Sequence, residues 1–193
     1  MKREQCTPNC VSKWNNLVQQ PQDWKKVFAA CFKSIQENKY SWFQYRIIFN
    51  ILGTRDYLSK IKLVKDGKCY FCKTESESIS HIFCECSHVQ QLWQNLKQWI
   101  FNILNIHIVF NETAMILGFI ESSENFWPVN FFLIITRFYI FSCSKNKIQL
   151  NIFDLQKEIK QKFVEQSQLA KINFSTGKYH KIWQIWENLL TNI

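Results

Sequence analysis

Glycine and proline are scarce, with 4 and 3 residues among 193. An all-β sandwich needs many tight turns, so this scarcity argues against one and for helices joined by polar loops. The glycines Gly53, Gly67, Gly118 and Gly177 stand singly. Neither a P-loop nor a dinucleotide fingerprint is present, because both need clustered glycines for close backbone approach to phosphate. No two aspartates adjoin, so the two-carboxylate metal clamp of polymerases and nucleases is not visible as a motif. Long apolar runs are missing too. The greasiest stretch, residues 126–142, holds Pro128, Asn130 and Arg137, and its longest unbroken apolar run is Phe131–Ile135. That is far short of a membrane span and reads as a buried core helix.

What is present favours folding. Hydrophobic residues make up 47% of the chain and charged ones 20%, enough apolar surface to offset ordering entropy. Basic residues outnumber acidic ones 24 to 15, a net charge of +9, which points to an anionic partner. Residues 1–10 are polar and lack the apolar core of a signal peptide. We therefore expect an intracellular, nuclear or cytoplasmic, chain with no membrane partner, in which the 8 cysteines are thiols or metal ligands and not disulfides.

The apolar pattern predicts a mostly α fold. Trp24, Val27, Phe28, Cys31, Phe32 and Ile35 recur at helical offsets after Pro21, giving a helix over about 22–37. Residues 41–52 are apolar on more than one face and stop at Gly53, which suggests a central helix with a glycine C-cap. Thr54 can cap a short helix through Ile61, followed by a polar turn at 65–68. The cleanest stripe runs from Val89 through Leu92, Trp93, Leu96 and Ile100 to Leu104. Three more helices are expected over 131–143, 153–168 with Asn151 as cap, and 178–190. No linker divides the chain. We expect a flexible tail over 1–13 and a single helical domain over 14–193 with a small zinc-stabilised insertion at 66–88.

That insertion carries the chemistry. Cys69, Cys72, His81 and Cys86 form a C-x2-C-x8-H-x4-C pattern, the three thiolates and one imidazole of a tetrahedral structural Zn2+ site. Four protein ligands leave no open position for substrate, so the ion is structural and not catalytic. Cys84 is an alternative fourth ligand, with Cys86 preferred. The competing reading makes these cysteines small core hydrophobes and His81 a satisfied histidine. Cys6 and Cys10 read as free thiols of the tail, and His88, His107 and His180 have no catalytic partner motif.

The segments Trp42-Phe-Gln-Tyr-Arg-Ile47, Ile51-Leu-Gly-Thr54, Tyr57-Leu-Ser-Lys-Ile61, Cys69-x2-Cys72, Glu77-Ser-Ile-Ser-His81-Ile-Phe-Cys-Glu-Cys86 and Leu92-Trp93 closely resemble the C-terminal region of LINE-type, non-LTR retrotransposon reverse transcriptases. The resemblance is dense over about 42–99 and looser towards Trp14 and Trp186. It implies a Cys-Cys-His-Cys zinc knuckle with ligands Cys69, Cys72, His81 and Cys86. It also implies an accessory region that helps to hold template RNA or target DNA during reverse transcription. It does not extend to a polymerase palm or an endonuclease, so no enzyme activity is expected of this chain.

Arg55, Lys60, Lys62, Lys65, Lys68 and Lys73, beside Tyr70 and Phe71, combine phosphate attraction with rings for unpaired bases, as suits RNA or single-stranded DNA. The plainer alternative is a solvated lysine face, with Tyr70 and Phe71 packing the knuckle. Lys157, Lys160 and Lys162, alternating with Glu158 and Glu165, read as an exposed helix face without a role. A competing function is protein docking, onto a polymerase domain or another partner, through aromatics such as Trp14, Trp183 and Trp186.

Overall fold

The computed structural model describes residues 37–104, 107–119 and 127–172, with 12–14, 24, 27 and 35 besides. Every regular element among them is helical: α1 (Asn38–Ile48), α2 (Arg55–Lys60), a π-helical turn (His81–Glu85), α3 (Ser87–Leu104), α4 (Glu112–Leu117), α5 (Trp127–Asn146) and α6 (Ile152–Ile172). The only extended pairing among the described residues is an isolated antiparallel bridge between Lys68 and Ser76. The mostly α fold expected from the sequence is what forms.

Helix α5 is the hub, packed against α1, α4, α6 and the π-helical turn. Its buried residues run without a break from Val129 to Arg137, as the unbroken apolar run required. Two polar side chains inside it are used rather than stranded. Arg137 Nη1 donates to the carbonyls of Ala114 and Met115 near the end of α4, where the Ala114 carbonyl also accepts from the Gly118 N–H that closes the helix. Asn130 donates to the Phe119 carbonyl and accepts from the Phe119 N–H, at 2.8 and 2.7 Å. No described helix is long and apolar enough to cross a membrane.

Helix α1 departs from expectation. It runs from Asn38 to Ile48 and buries Tyr40, Phe43, Gln44, Ile47 and Ile48 along one stripe, while Trp42 is 61% exposed. It therefore has one buried face and not several. Gly53 does not cap it. Asn50 does, at φ 55°, with Asn50 N–H donating to Ile47 and Ile51 N–H to Arg46, the paired bonds of a left-handed C-terminal cap. Asparagine tolerates that conformation, so the turn that ends the helix falls three residues before the glycine. Lys62 and Lys147 close α2 and α5 with the same two bonds, at φ 60° and 58°. In a chain this poor in glycine, asparagine and lysine take over the turn.

The other helices follow their caps. The Thr54 hydroxyl accepts from Tyr57 N–H at the start of α2, Asn111 caps α4, and the Asn151 carboxamide accepts from Phe153 N–H at 2.8 Å. Helix α3 buries Val89, Leu92, Trp93, Leu96 and Ile100 as its stripe predicted. Helix α4 has no counterpart in the sequence reading. Lys162 is not on a solvated face: it pairs with Glu37 at 3.2 Å and with Glu165, tying α6 to the start of α1. Trp14 is buried and donates from Nε1 to the Ile48 carbonyl at 2.6 Å, so it is a core residue and not part of a docking patch. The expected helix at 178–190, Trp183, Trp186, Cys6 and Cys10 lie outside the described residues. Most of the expected helix at 22–37 does too, although Val27 and Ile35 are buried.

Candidate zinc centre and its basic face

The first half of the site is a narrow turn. Cys69 N–H donates to Glu75, Glu77 N–H to Gly67 and Lys73 N–H to Cys69, folding 67–77 back on itself with Cys69 and Cys72 on one side. Lys73 adopts φ 60° to complete it. Gly67 lets this turn lie against α2, since a Cβ there would stand 2.7 Å from Ser59 Oγ and 3.3 Å from the Asp56 Cα.

The second half comes from the π-helical turn. Its i→i+5 bond, from Cys86 N–H to the His81 carbonyl at 3.0 Å, brings residues five apart together where an α-helix would splay them. His81 and Cys86 thereby reach the same point. Cys84 does not: it is buried, with its Sγ 3.9 Å from the Glu112 carbonyl, and burial pushes its thiol up to about 12. Of the two candidates for fourth ligand, geometry selects Cys86.

The donor atoms of Cys69, Cys72, His81 and Cys86 all lie within 4.8 Å of one another. Cys69 Sγ and Cys86 Sγ are 3.9 Å apart, and Cys72 Sγ is 3.4 Å from His81 Nε2. Tetrahedral zinc with Zn–S near 2.3 Å and Zn–N near 2.05 Å would space two sulfurs by about 3.8 Å and a sulfur and a nitrogen by about 3.6 Å. The donor set therefore fits zinc in both chemistry and size. The other ring nitrogen of His81, Nδ1, faces the Glu85 carboxylate at 3.7 Å, the arrangement that orients a metal-bound imidazole.

Two of the three cysteine donors, Cys72 and Cys86, favour the thiolate where a cation would sit. Burial pushes the Cys72 thiol up. The Thr74 hydroxyl, the N–H groups of Glu75 and Thr74 and the contact with His81 outweigh it and bring the thiol down to about 7. Cys86 is held well below an ordinary thiol by the hydrogen bond from Cys69, with help from the Val89 and His88 N–H groups that open α3. Cys69, the donor in that bond, is correspondingly raised. A helix N-terminus stabilising a thiolate is a familiar effect.

Residues 9–93 match the family model described as zinc-binding in reverse transcriptase, and no curated protein matches the chain. The matched stretch contains all four donors and ends at Trp93, inside α3. Residues 9–93 are thus similar to the zinc-binding region of reverse transcriptases, and Cys69, Cys72, His81 and Cys86 supply the donors for zinc as cofactor. Helices α4 to α6 lie beyond the match.

The basic residues divide. Lys62, Lys65, Lys68 and Lys73 are exposed. Lys60 is exposed too but pairs with Asp56 at 2.6 Å. Arg55 is half-buried, its Nε donating to the Lys68 carbonyl and its Nη2 to the Asp66 carbonyl, so it braces the turn. Phe71 is 6% exposed and belongs to the core. Its ring is not open to a base, and for this residue the packing alternative holds. Tyr70 is half-buried and fixed, donating its hydroxyl to the Lys147 carbonyl at 2.7 Å.

Two residues outside the sequence reading hold the site. Glu77 is fully buried, and its carboxylate accepts from Arg55 N–H, Tyr70 N–H and the Ser144 hydroxyl. Lys147 supplies the acceptor for Tyr70. Glu77 stands among serines in a segment that reads as an exposed loop, and nothing in its spacing marks it as buried.

Proposed function

We propose that this chain is a non-catalytic, zinc-stabilised nucleic-acid-binding module, the accessory region of a LINE-type, non-LTR reverse transcriptase, which holds RNA or single-stranded DNA inside the cell as a ribonucleoprotein. One observation carries the reading. The zinc-bearing turn packs Cys69, Phe71 and Ile79 inward, while Lys68 and Lys73 on the turn and Lys62 and Lys65 just after α2 stay exposed. Zinc serves the fold, because the four donors surround one point and leave no protein-free position for chemistry. The lysines then offer a phosphate-binding surface of fixed shape.

The test is binding of fluorescent RNA and single-stranded DNA across a salt series. With four phosphate contacts the logarithm of the affinity should fall against log salt with a slope of about −3. Charge reversal at Lys62, Lys65 and Lys68 together should flatten that slope and weaken binding to both ligands. Affinity indifferent to salt and to those substitutions sinks the proposal.

A second reading, docking onto a polymerase domain, draws on α1, where Trp42 is exposed and touches Tyr45, which in turn packs on Phe49. Apolar docking of that kind would survive high salt and would be lost in Trp42→Ala.

A further inference from the structure

The first chelating turn and the C-terminal end of α5 enclose a cleft of about 330 Å3 lined by Arg55, Asp66, Lys68, Tyr70, Lys73 and Lys147, with Cys69 at its back. We propose that this cleft is a binding site for one nucleotide of an unpaired strand, its phosphate held by Lys68, Lys73 and Lys147 and its base or sugar laid against Tyr70. The inference rests on the nucleic-acid reading above and deepens it, because it names the subsite and adds Lys147, more than fifty residues beyond the matched region.

Charge is the first argument. Four cations meet one carboxylate in this cleft. Asp66 is already turned to its own turn, accepting from Lys68 N–H at 2.8 Å and facing Arg55 Nη2 at 4.0 Å. Lys68, Lys73 and Lys147 have no carboxylate partner among the described residues. Three lysines without a carboxylate partner line one concavity, and a cleft concentrates the field of its walls on a phosphate.

Backbone conformation is the second. Lys73 and Lys147 both sit in the left-handed region, at φ 60° and 58°, where glycine is the default and a longer side chain costs free energy. Lys62 shares this conformation away from the cleft, whereas Lys73 and Lys147 both line it.

Rigidity is the third. Tyr70 is held at both ends, its N–H by Glu77 at 3.2 Å and its hydroxyl by the Lys147 carbonyl at 2.7 Å. A ring fixed in this way loses little entropy when a base stacks on it. The cleft volume, at the small end of ligand pockets, suits one nucleotide and is too small for a duplex.

The experiment uses the full zinc-loaded chain, with Lys147→Gly and Lys73→Gly. Glycine at these φ values relieves backbone strain, so a change in binding does not reflect unfolding. Anisotropy with eight-nucleotide oligouridine and oligothymidine should show each variant weakened several-fold at low salt, with the salt slope reduced by about 0.7, one single-strand phosphate contact. Lys147→Arg should restore the affinity. Uridine monophosphate titrated into isotope-labelled protein should shift the amides of Tyr70, Lys73 and Lys147 first. Unchanged affinity in both glycine variants, with shifts scattered over the surface, overturns the cleft even if charge reversal at Lys62 and Lys65 still weakens the oligomers. Shifts confined to the cleft in a protein that binds neither oligomer would keep the mononucleotide site and overturn the strand-holding reading. Equal losses for the two oligomers fit a site that reads phosphate and base stacking; a loss confined to oligouridine would add a contact to the ribose hydroxyl.

Discussion

The hydroxyl of Ser144, near the end of α5, donates to the fully buried carboxylate of Glu77, in the zinc-bearing segment, at 2.7 Å and across 67 residues of sequence. The same carboxylate takes the first N–H of α2 from Arg55 and the N–H of Tyr70. One side chain therefore fastens the chelating turn to the short basic helix and to the central helix. A buried carboxylate is costly unless its lone pairs are used, and here three donors use them.

Removing that acceptor strands the three donors. We expect Glu77→Ala to lose roughly 3 kcal/mol or more in urea unfolding, at about 1–3 kcal/mol for each buried group left unsatisfied. Ser144→Ala, which removes one hydrogen bond to a charged group, should lose about 1.5–3 kcal/mol. Equal and small losses in the two variants would mean that Glu77 is not the hub.

Stripping the metal should unfold more than a loop. The π-helical turn that delivers His81 and Cys86 also buries Ile82 and Phe83 against α3, α4 and α5. Structural zinc in small domains contributes on the order of 10 kcal/mol. Chelation, or Cys69→Ser combined with Cys72→Ser, should therefore lower the thermal midpoint and reduce the helical circular dichroism together. Elemental analysis should find one zinc per chain beforehand. A midpoint that does not move on chelation would make the cluster a packing feature.

Much of this was legible because it is local. The C-x2-C pair needs only one tight turn, and Val89 to Ile100 carry a plain helical period, so the chelating turn and α3 could be read from spacing. Helix ends were harder to read, because a search for glycine finds Gly53 and passes over Asn50, Lys62 and Lys147. Helix α4 is only six residues long, too short for a period, and takes its place from Arg137 on another helix. The fates of Tyr70 and Phe71 were open for a related reason: Tyr70 is fixed by a bond to Lys147, 77 residues away, and Phe71 by burial in the core.

Gly118 is a second place where one atom matters. It adopts φ 86°, and a Cβ there would stand 2.8 Å from Asn130 Oδ1, the atom that accepts from Phe119 N–H. Gly118→Ala should cost about 1–3 kcal/mol through backbone strain alone, with more added as the Asn130 bond is pushed aside. Denaturant unfolding of Gly118→Ala beside Asn130→Ala checks this, and the double variant should cost less than the sum of the two.

Tyr70 and Phe71 are neighbours with opposite jobs. Phe71→Ala opens a hole in the core and should cost about 3–5 kcal/mol of stability. Tyr70→Phe keeps the ring and removes only the bond to Lys147, at about 1 kcal/mol. Nucleic-acid affinity per folded molecule should be unchanged by the first variant and lowered by Tyr70→Ala. A Phe71→Ala protein of normal stability with weakened binding would return Phe71 to the interface.

The thiols of the metal-free protein should differ in reactivity, and pH separates them. A thiolate attacks an alkylating agent and a thiol does not. Cys72 is brought down to about 7 from the 9.0 of an unperturbed thiol and is half-buried, so its alkylation should switch on as pH rises through about 7. Cys84, buried and pushed up to about 12, should stay silent over the same range. The shift also sets a sign for stability. Because the folded pKa lies below the unfolded one, the hydrogen bonds to the Cys72 thiolate stabilise the apo fold fully above pH 9 and lose that contribution as pH falls through about 7. Peptide mapping after timed iodoacetamide pulses between pH 6 and pH 9 tests both points. Of the two, Cys72 should carry the adduct first and be protected by zinc, whereas Cys84 labelled before Cys72, or a Cys72 midpoint near 9, would mean that Thr74 and Glu75 do not stabilise the thiolate.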